Sequence, residues 1–309
     1  MSDPTPIPEG VERDHPLARF TTVRTGGPAD YLARPESIDR LVELLAWARR
    51  LEIPIGIIGS GSNLLVADRG FRGLAIKLDG EFQTIDRDGA LVSLGGAVRL
   101  PSAAAKSVAW GLSGLEFGVN IPGTAGGAVR MNANAYGGRL ADVIESVVLC
   151  DASGSRTVGT EELGFGYRSS SIDPGQVVAR VGFRLAPDDP DRIRERLAEM
   201  RAWRKETQPS GIKTFGSTFK NPEDPAAGGM SAGQLLDRAG CRGLVIGGAR
   251  FSEVHANFIE NMGEATTADV VAVMAAGRER VEGECGVLLE PEVQVLGEVE
   301  WPEGWQGGP

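Results

Sequence analysis

Apolar positions first recur at helical spacing in residues 37–50, where Leu41, Leu44, Leu45 and Ala48 share one face behind Ser37, a good N-cap residue. An amphipathic helix is expected there. Ile53 to Ile58 follows as a short run rich in β-branched residues. Leu64-Leu65-Val66 and Leu74-Ala-Ile-Lys-Leu78 read as further strands, so an α+β lobe is predicted. From about 81 to 186, short apolar segments (Leu91 to Leu94, Val143 to Leu149, Val177 to Leu185) alternate with glycine-rich turns and one helix at 101–110. That is the pattern of a second lobe built on a sheet.

Pro187-Asp-Asp-Pro190 breaks this pattern, and a helix is expected from Asp191 to Lys205 with Ile193, Leu197 and Met200 inward. The last third predicts a short helix ending at Gly240, a strand from Val254 to Ile259, a helix at about 267–282 and a final strand near 287–296. The resulting division is a tail at 1–16, lobes at 17–80, 81–188 and 189–299, and a tail at 300–309.

Composition narrows the class. A chain of 309 residues with 41% hydrophobic content exceeds one core and fills several lobes. Its 42 acidic and 32 basic residues give a net charge of −10, which repels a polyanion, so no nucleic-acid partner is expected. Cys150, Cys241 and Cys285 are too few and too far apart for a disulfide framework or a zinc site, and read as reduced, mostly buried thiols. No apolar run approaches the ~20 residues of a membrane span, so a cytoplasmic protein with no membrane partner is expected. His15 and His255 are the only histidines, which disfavours a histidine-bound metal or a serine–histidine pair.

Several segments carry candidate chemistry. Gly59-Ser60-Gly61-Ser62-Asn63 lies between apolar runs, where glycines let backbone N–H groups converge on an anion such as a pyrophosphate. A plain tight turn explains the same residues equally well. The P-loop is excluded because no Gly-Lys-Ser/Thr follows, and the dinucleotide fingerprint because Leu64-Leu65-Val66 stands where its third glycine and helix belong. A second cluster, Gly123-Thr124-Ala125-Gly126-Gly127-Ala128, offers more small residues and backbone donors, suited to close approach of a large planar ligand.

Gly216-Ser217-Thr218-Phe219-Lys220-Asn221-Pro222 sets a hydroxyl beside a lysine and an asparagine, a candidate proton donor near an anion site. Arg168 in Gly166-Tyr-Arg, and Glu290 and Glu292 on one side of an expected strand, are individually ordinary. His255 is read as a hydrogen-bonded structural residue rather than a base.

Taken together, Arg24-Thr-Gly-Gly-Pro-Ala29, Ile58-Gly-Ser-Gly-Ser-Asn-Leu64, Gly114-Leu-Glu-Phe117, Ile121-Pro-Gly-Thr-Ala-Gly-Gly-Ala128, Gly166-Tyr-Arg168, Gly216 to Pro222, His255-Ala-Asn-Phe258 and Glu290-Pro-Glu-Val293 resemble the UDP-N-acetylenolpyruvoylglucosamine reductases. These flavoenzymes complete UDP-N-acetylmuramate synthesis for peptidoglycan. The resemblance runs from about Phe20 to Gly297, and its specificity lies in the order and spacing of the motifs.

It implies an α+β fold: an FAD-binding region of vanillyl-alcohol-oxidase type in two subdomains (17–80 and 81–188), then a substrate-binding C-terminal lobe (189–299). It also implies noncovalent FAD, held by Ile58, Gly59, Ser60, Gly61, Ser62, Asn63 and Leu64 and by Gly123, Thr124, Gly126, Gly127 and Ala128. NADPH is the implied co-substrate and a UDP-sugar enolpyruvyl ether the substrate. By the same resemblance Arg168 pairs with the substrate carboxylate, Ser217 donates a proton with its alkoxide stabilised by neighbours such as Lys220, and Glu292 assists as a positioned acid or polarising partner. Arg204, Lys220 and Asn221 are implied to bind substrate, with Arg204 and Asn221 contributing to nucleotide-diphosphate or cofactor binding. A monomer is expected, of the class lacking an extra tyrosine-bearing loop. Phe215, Asn134 and Asn120 depart from the family's usual alanine, glycine and loop residue. Two rivals remain at this point: another flavin oxidoreductase of the same fold, and a nucleotide-binding protein that has lost turnover.

Overall fold

The computed structural model describes residues 6–302 and Trp305; the ends of both expected tails lie outside the described residues. The chain forms two compact units. One comprises Met1–His15, Ala29–Ser60 and Arg72–Arg201, and the other Pro16–Pro28, Gly61–Phe71 and Ala202–Pro309.

In the first unit, helix α1 (Ile38–Arg50) starts where Ser37 Oγ accepts the Arg40 N–H, and it buries Leu41, Leu44, Leu45, Trp47 and Ala48. Its apolar face fits the period of the helix and a genuine side-chain cap, each favouring the same boundary. A four-stranded sheet orders Glu12–Pro16, Pro28–Ala33, Phe71–Ile76 and Ile55–Ile57, the last two parallel. The edge strand Glu12–Pro16 corrects the expectation of a tail through residue 16. Its side chains are mostly exposed, so it carries no apolar alternation to betray it.

A second, antiparallel sheet orders Gly154–Val158, Ile144–Asp151, Val177–Arg184, Leu91–Gly95 and Ile85–Asp88. Both faces of this sheet are covered. Val177, Ala179 and Cys150 join the core beneath α1, whereas Val147, Leu149, Val181 and Phe183 pack with helix α2 (Leu100–Ala109) and helix α3 (Ala125–Arg130). Helix α4 (Pro190–Thr207) buries Ile193 and Leu197 against Ala104, Val108 and Val119, with Met200 partly buried beside them.

The second unit centres on helix α6 (Thr267–Cys285), which opens with a Thr266/Asp269 capping box and ends at Gly286 in the left-handed conformation. Its core gathers Val270, Met274 and Val281 with Leu235 and Leu236 of helix α5 (Ala232–Arg238), and with Phe215, Phe219, Phe251, Val293 and Leu65. Trp301 and Trp305 pack on the same core, so part of the segment expected as a C-terminal tail is structural.

Two strand expectations fail here. Val254–Phe258 is a turn, with Val254 53% exposed, and the strand begins only at Ile259 (Ile259–Asn261). The final strand is just Gln294–Leu296, parallel to Leu64–Val66, while Glu290–Glu292 is extended loop with a single bridge at Pro291. Cys150, Cys241 and Cys285 are free thiols, the first two buried.

Candidate functional site

The loop after Ile57 is held at the Ile58 amide and at the carbonyls of its two glycines. In the first unit Ile58 N–H donates to Ile76 O (2.9 Å), and Lys77 Nζ donates to Gly59 O (2.9 Å). Burial, then the nearby Arg34, pushes the Lys77 ammonium pKa down, with Asp79 opposing. In the second unit Gly61 O accepts both the Thr22 N–H (3.0 Å) and the Thr22 hydroxyl (3.1 Å). These bonds fix the backbone at Gly59 and Gly61, the two glycines of the loop.

There is no room for side chains in this loop. A Cβ on Gly59 would sit 2.7 Å from Thr124 Oγ1, and one on Gly61, at φ +68°, would sit 1.9 Å from Phe20 O. The Gly59 contact also joins the two glycine clusters predicted from sequence, since Thr124 belongs to the second.

That second cluster uses its glycines differently. Thr124 caps α3, its Oγ1 accepting the Gly127 N–H (3.4 Å). The amides of Ala125, Gly126 and Ala128 donate to Val98 O, Gly96 O and Thr124 O. The expectation of many available donors is therefore corrected: these amides are spent inside the protein. Gly126 faces the sheet, where a Cβ would meet Gly96 O at 3.1 Å and Val178 O at 3.2 Å; the Gly127 position is exposed. Ala128 lies in the core.

Arg168 occupies a four-residue turn closed by Gly166 N–H to Ser169 O (3.1 Å). Its φ of +53° is left-handed, a conformation that costs a non-glycine residue about 1–2 kcal/mol. Asn132 Nδ2 donates to Gly166 O (2.8 Å), and Arg168 Nη1 lies 3.4 Å from both Asn134 O and Asn134 Oδ1. Asn134, one of the departures noted in the sequence, thus touches the guanidinium. Such a conformation persists because the surrounding turn and its partners hold it.

In the second unit the segment Ser217–Lys220 runs extended between two others. Ser217 bridges to Phe258, Glu292 N–H donates to Thr218 O (2.8 Å), and Lys220 N–H donates to Glu290 O (2.9 Å). Ser217 and Glu292, far apart in sequence, therefore stand on neighbouring backbone. Asn63, also in the second unit, meets the same place: its Nδ2 donates to Glu292 O (3.1 Å) and its O accepts the Gln294 N–H (3.1 Å). Leu64 pairs with Gln294, and Ser62 O lies 3.6 Å from where a Gly216 Cβ would be.

Lys220 Nζ is 3.4 Å from Glu290 Oε2. Asn221 Oδ1 accepts the Ala232 N–H (3.0 Å), and Arg204 lies in the last turns of α4. His255 Nδ1 accepts the Asn257 N–H (3.2 Å); burial, reinforced by Arg242, pushes its pKa down. A ring nitrogen committed as an acceptor in a turn matches the structural role read from the sequence.

Residues 29–159 match the FAD binding domain family, and residues 208–296 match the family described as UDP-N-acetylenolpyruvoylglucosamine reductase, C-terminal domain. The UDP-N-acetylenolpyruvoylglucosamine reductase of Anaeromyxobacter dehalogenans strain 2CP-C is 43% identical over 286 residues, covering 93% of this chain and 85% of that one. The chain belongs to the UDP-N-acetylenolpyruvoylglucosamine reductase family. The reductase of Agathobacter rectalis is 41% identical over 303 residues, 94% of this chain and 95% of that protein. The crystal structure of the Thermus caldophilus reductase matches with a TM-score of 0.80 at 40% identity, covering 94% of this chain and 99% of that one. The α+β architecture, an FAD-binding domain followed by the reductase family's C-terminal domain, is the one the motifs implied.

The residues present fit FAD. Gly59 and Gly61 leave a cradle that a Cβ would fill, and the loop's carbonyls are engaged by Lys77 and Thr22. Sequence reading missed both anchors, although Lys77 stands out as the one charge inside the apolar run Leu74 to Leu78. Asn257 figures in the sequence only as part of the motif His255-Ala-Asn-Phe258, with no role given to it.

Proposed function

We propose that this protein carries out the NADPH-dependent, FAD-mediated reduction of UDP-N-acetylglucosamine enolpyruvate to UDP-N-acetylmuramate for peptidoglycan synthesis. The observation that carries this reading is the match to reductases of the family along nearly the full length of both chains. Noncovalent FAD, when bound, accepts a hydride from NADPH and delivers one to the enolpyruvyl carbon β to the carboxylate.

The remaining work falls to side chains. Arg168 pairs its guanidinium with the substrate carboxylate and offsets the charge that builds on the adjacent carbon; its strained turn supports this role. Ser217 gives its hydroxyl proton to that carbon. The alkoxide left behind is stabilised by Lys220 and reprotonated from water. Glu292 assists as a positioned acid or polarising partner, a role supported by its backbone contact with Thr218. Arg204, Lys220 and Asn221 bind the nucleotide diphosphate. The protein acts as a cytoplasmic monomer without nucleic-acid partners, in keeping with its net charge of −10 and with the absence, among the described residues, of a helix long and apolar enough to cross a membrane.

Half-reactions followed by flavin absorbance test the assignment. Ser217→Ala is expected to keep flavin reduction by NADPH and to slow reoxidation by the enolpyruvyl nucleotide by about 1,000-fold or more. Equal loss of both half-reactions contradicts the role of Ser217. A wild-type flavin that ignores the enolpyruvyl nucleotide sinks the whole reading and favours another flavin oxidoreductase.

A further inference from the structure

The segment that carries Ser217 has no regular sheet around it. Ser217–Lys220 makes isolated bridges only, at Ser217 to Phe258 and at Phe219 to Pro291, so something other than a ladder must fix its position. Backbone bonds hold Thr218 and Lys220, and one side chain holds Phe219 between them. Asn257, 4% exposed, accepts the Phe219 N–H at Oδ1 (2.9 Å) and donates from Nδ2 to Phe219 O (2.8 Å). Its carboxamide thus pairs with both backbone groups of one residue, as a neighbouring strand would. The Asn257 carbonyl also accepts the Thr218 N–H (2.8 Å), and the Asn257 N–H is held by His255 Nδ1.

We propose that Asn257 is a positioning residue for proton transfer: its carboxamide fixes the register of Ser217–Phe219 and thereby the direction of the Ser217 hydroxyl. Only a side chain with one donor and one acceptor at this length completes the pairing. Aspartate keeps the acceptor for the Phe219 N–H but sets an oxygen against Phe219 O; alanine removes both bonds. The inference rests on the reading of Ser217 as the proton donor, and its test separates the two.

The experiment is a double-mutant cycle on the FAD-loaded enzyme, with the two half-reactions timed separately. Asn257→Ala is expected to leave flavin reduction by NADPH within about twofold and to slow substrate-dependent reoxidation by about 100-fold, the size of loss that a misplacement near 1 Å produces. In the Ser217→Ala background the same substitution is expected to add no further loss, because the group it positions is gone. A purely structural role has the opposite signature: both half-reactions fall together, or the Asn257 effect persists undiminished without Ser217. Either result overturns the proposal, as does wild-type reoxidation in Asn257→Ala. If the alanine variant does not retain flavin, Asn257→Asp takes its place, with slowing of about 10-fold expected in reoxidation alone; wild-type behaviour there also overturns it. Should Ser217→Ala itself reoxidise normally, the proton-donor reading fails. A slow Ser217→Ala beside a normal Asn257→Ala removes only the positioning role.

Discussion

The two glycine-rich stretches have similar compositions and opposite uses. In Gly59–Asn63 the carbonyls of Gly59 and Gly61 are tied down, by Lys77 and Thr22, and the glycines are required because neighbouring atoms occupy the space of a side chain. Around Gly123–Ala128 the amides are tied down, by Val98, Gly96 and Thr124, and Gly126 serves to bring α3 against the sheet. Glycine content therefore predicts where backbone comes close, and the hydrogen bonds show how each stretch is anchored.

The sharpest way to break this contrast is Gly61→Ala. A Cβ there is forced onto Phe20 O in a left-handed backbone, and a loss of about 3 kcal/mol or more in urea unfolding is expected, with loss of bound flavin. An unfolding midpoint and flavin content like those of wild type would remove the claim that this loop is sterically fixed.

A control outside both stretches comes next. Glu116 is nearly buried and receives hydrogen bonds from Arg196 (2.8 Å), the Gly114 N–H (2.6 Å) and Ser113 (2.7 Å). Burial alone would raise its pKa; these bonds outweigh it and hold the pKa below the ordinary carboxylate value. A lowered folded-state pKa stabilises above the unfolded value, near 4.3, and that contribution disappears as pH falls through the folded value. Glu116→Gln is expected to cost about 2 kcal/mol at pH 7, with the gap to wild type closing below about pH 4. A gap that stays constant from pH 7 to pH 3 would contradict the ionised-carboxylate account. Flavin affinity is expected to stay unchanged throughout.

The smallest effects separate two adjacent glycines. Gly126→Ala presses a methyl on fixed carbonyl oxygens and is expected to cost about 1 kcal/mol of stability without changing flavin affinity. Gly127→Ala, at an exposed helical position, is expected to gain up to about 1 kcal/mol from helix propensity. If FAD approaches this face, the same substitution weakens its binding by about 10-fold. Titrations of the apo proteins with FAD, set beside their unfolding curves, would show whether affinity and stability move in opposite directions as expected.

Legibility in the sequence followed the burial of each element. Helix α1 announces itself by its apolar face and its Ser37 cap, and the three central strands of the antiparallel sheet by their apolar runs. The mostly exposed edge strands of that sheet, Ile85–Asp88 and Gly154–Val158, do not. The edge strand Glu12–Pro16 was invisible because it buries almost nothing. The stretch Val254–Ile259 read as a strand on its β-branched ends, yet its centre is a turn held by His255 and Asn257, side chains that periodicity counts merely as polar. The family resemblance could point to Ser217 and Glu292, but only the fold reveals that Thr218 joins them through one backbone hydrogen bond. The anchors of the glycine loop lie 18 and 39 residues from the groups they hold, beyond any local pattern.

The free thiols divide between the units. Cys150 is sealed in the core beneath α1, where burial first, and then Asp151 and Glu81, push its pKa up to about 11; Cys241 is sealed in the core around α6, where burial raises its pKa as well. Neither reacts while its core stays shut. Each unit thus carries an internal timer. The rate at which a maleimide tags one position or the other, read by mass spectrometry in native buffer, measures how often that half of the molecule opens, with no label and no mutation introduced beforehand.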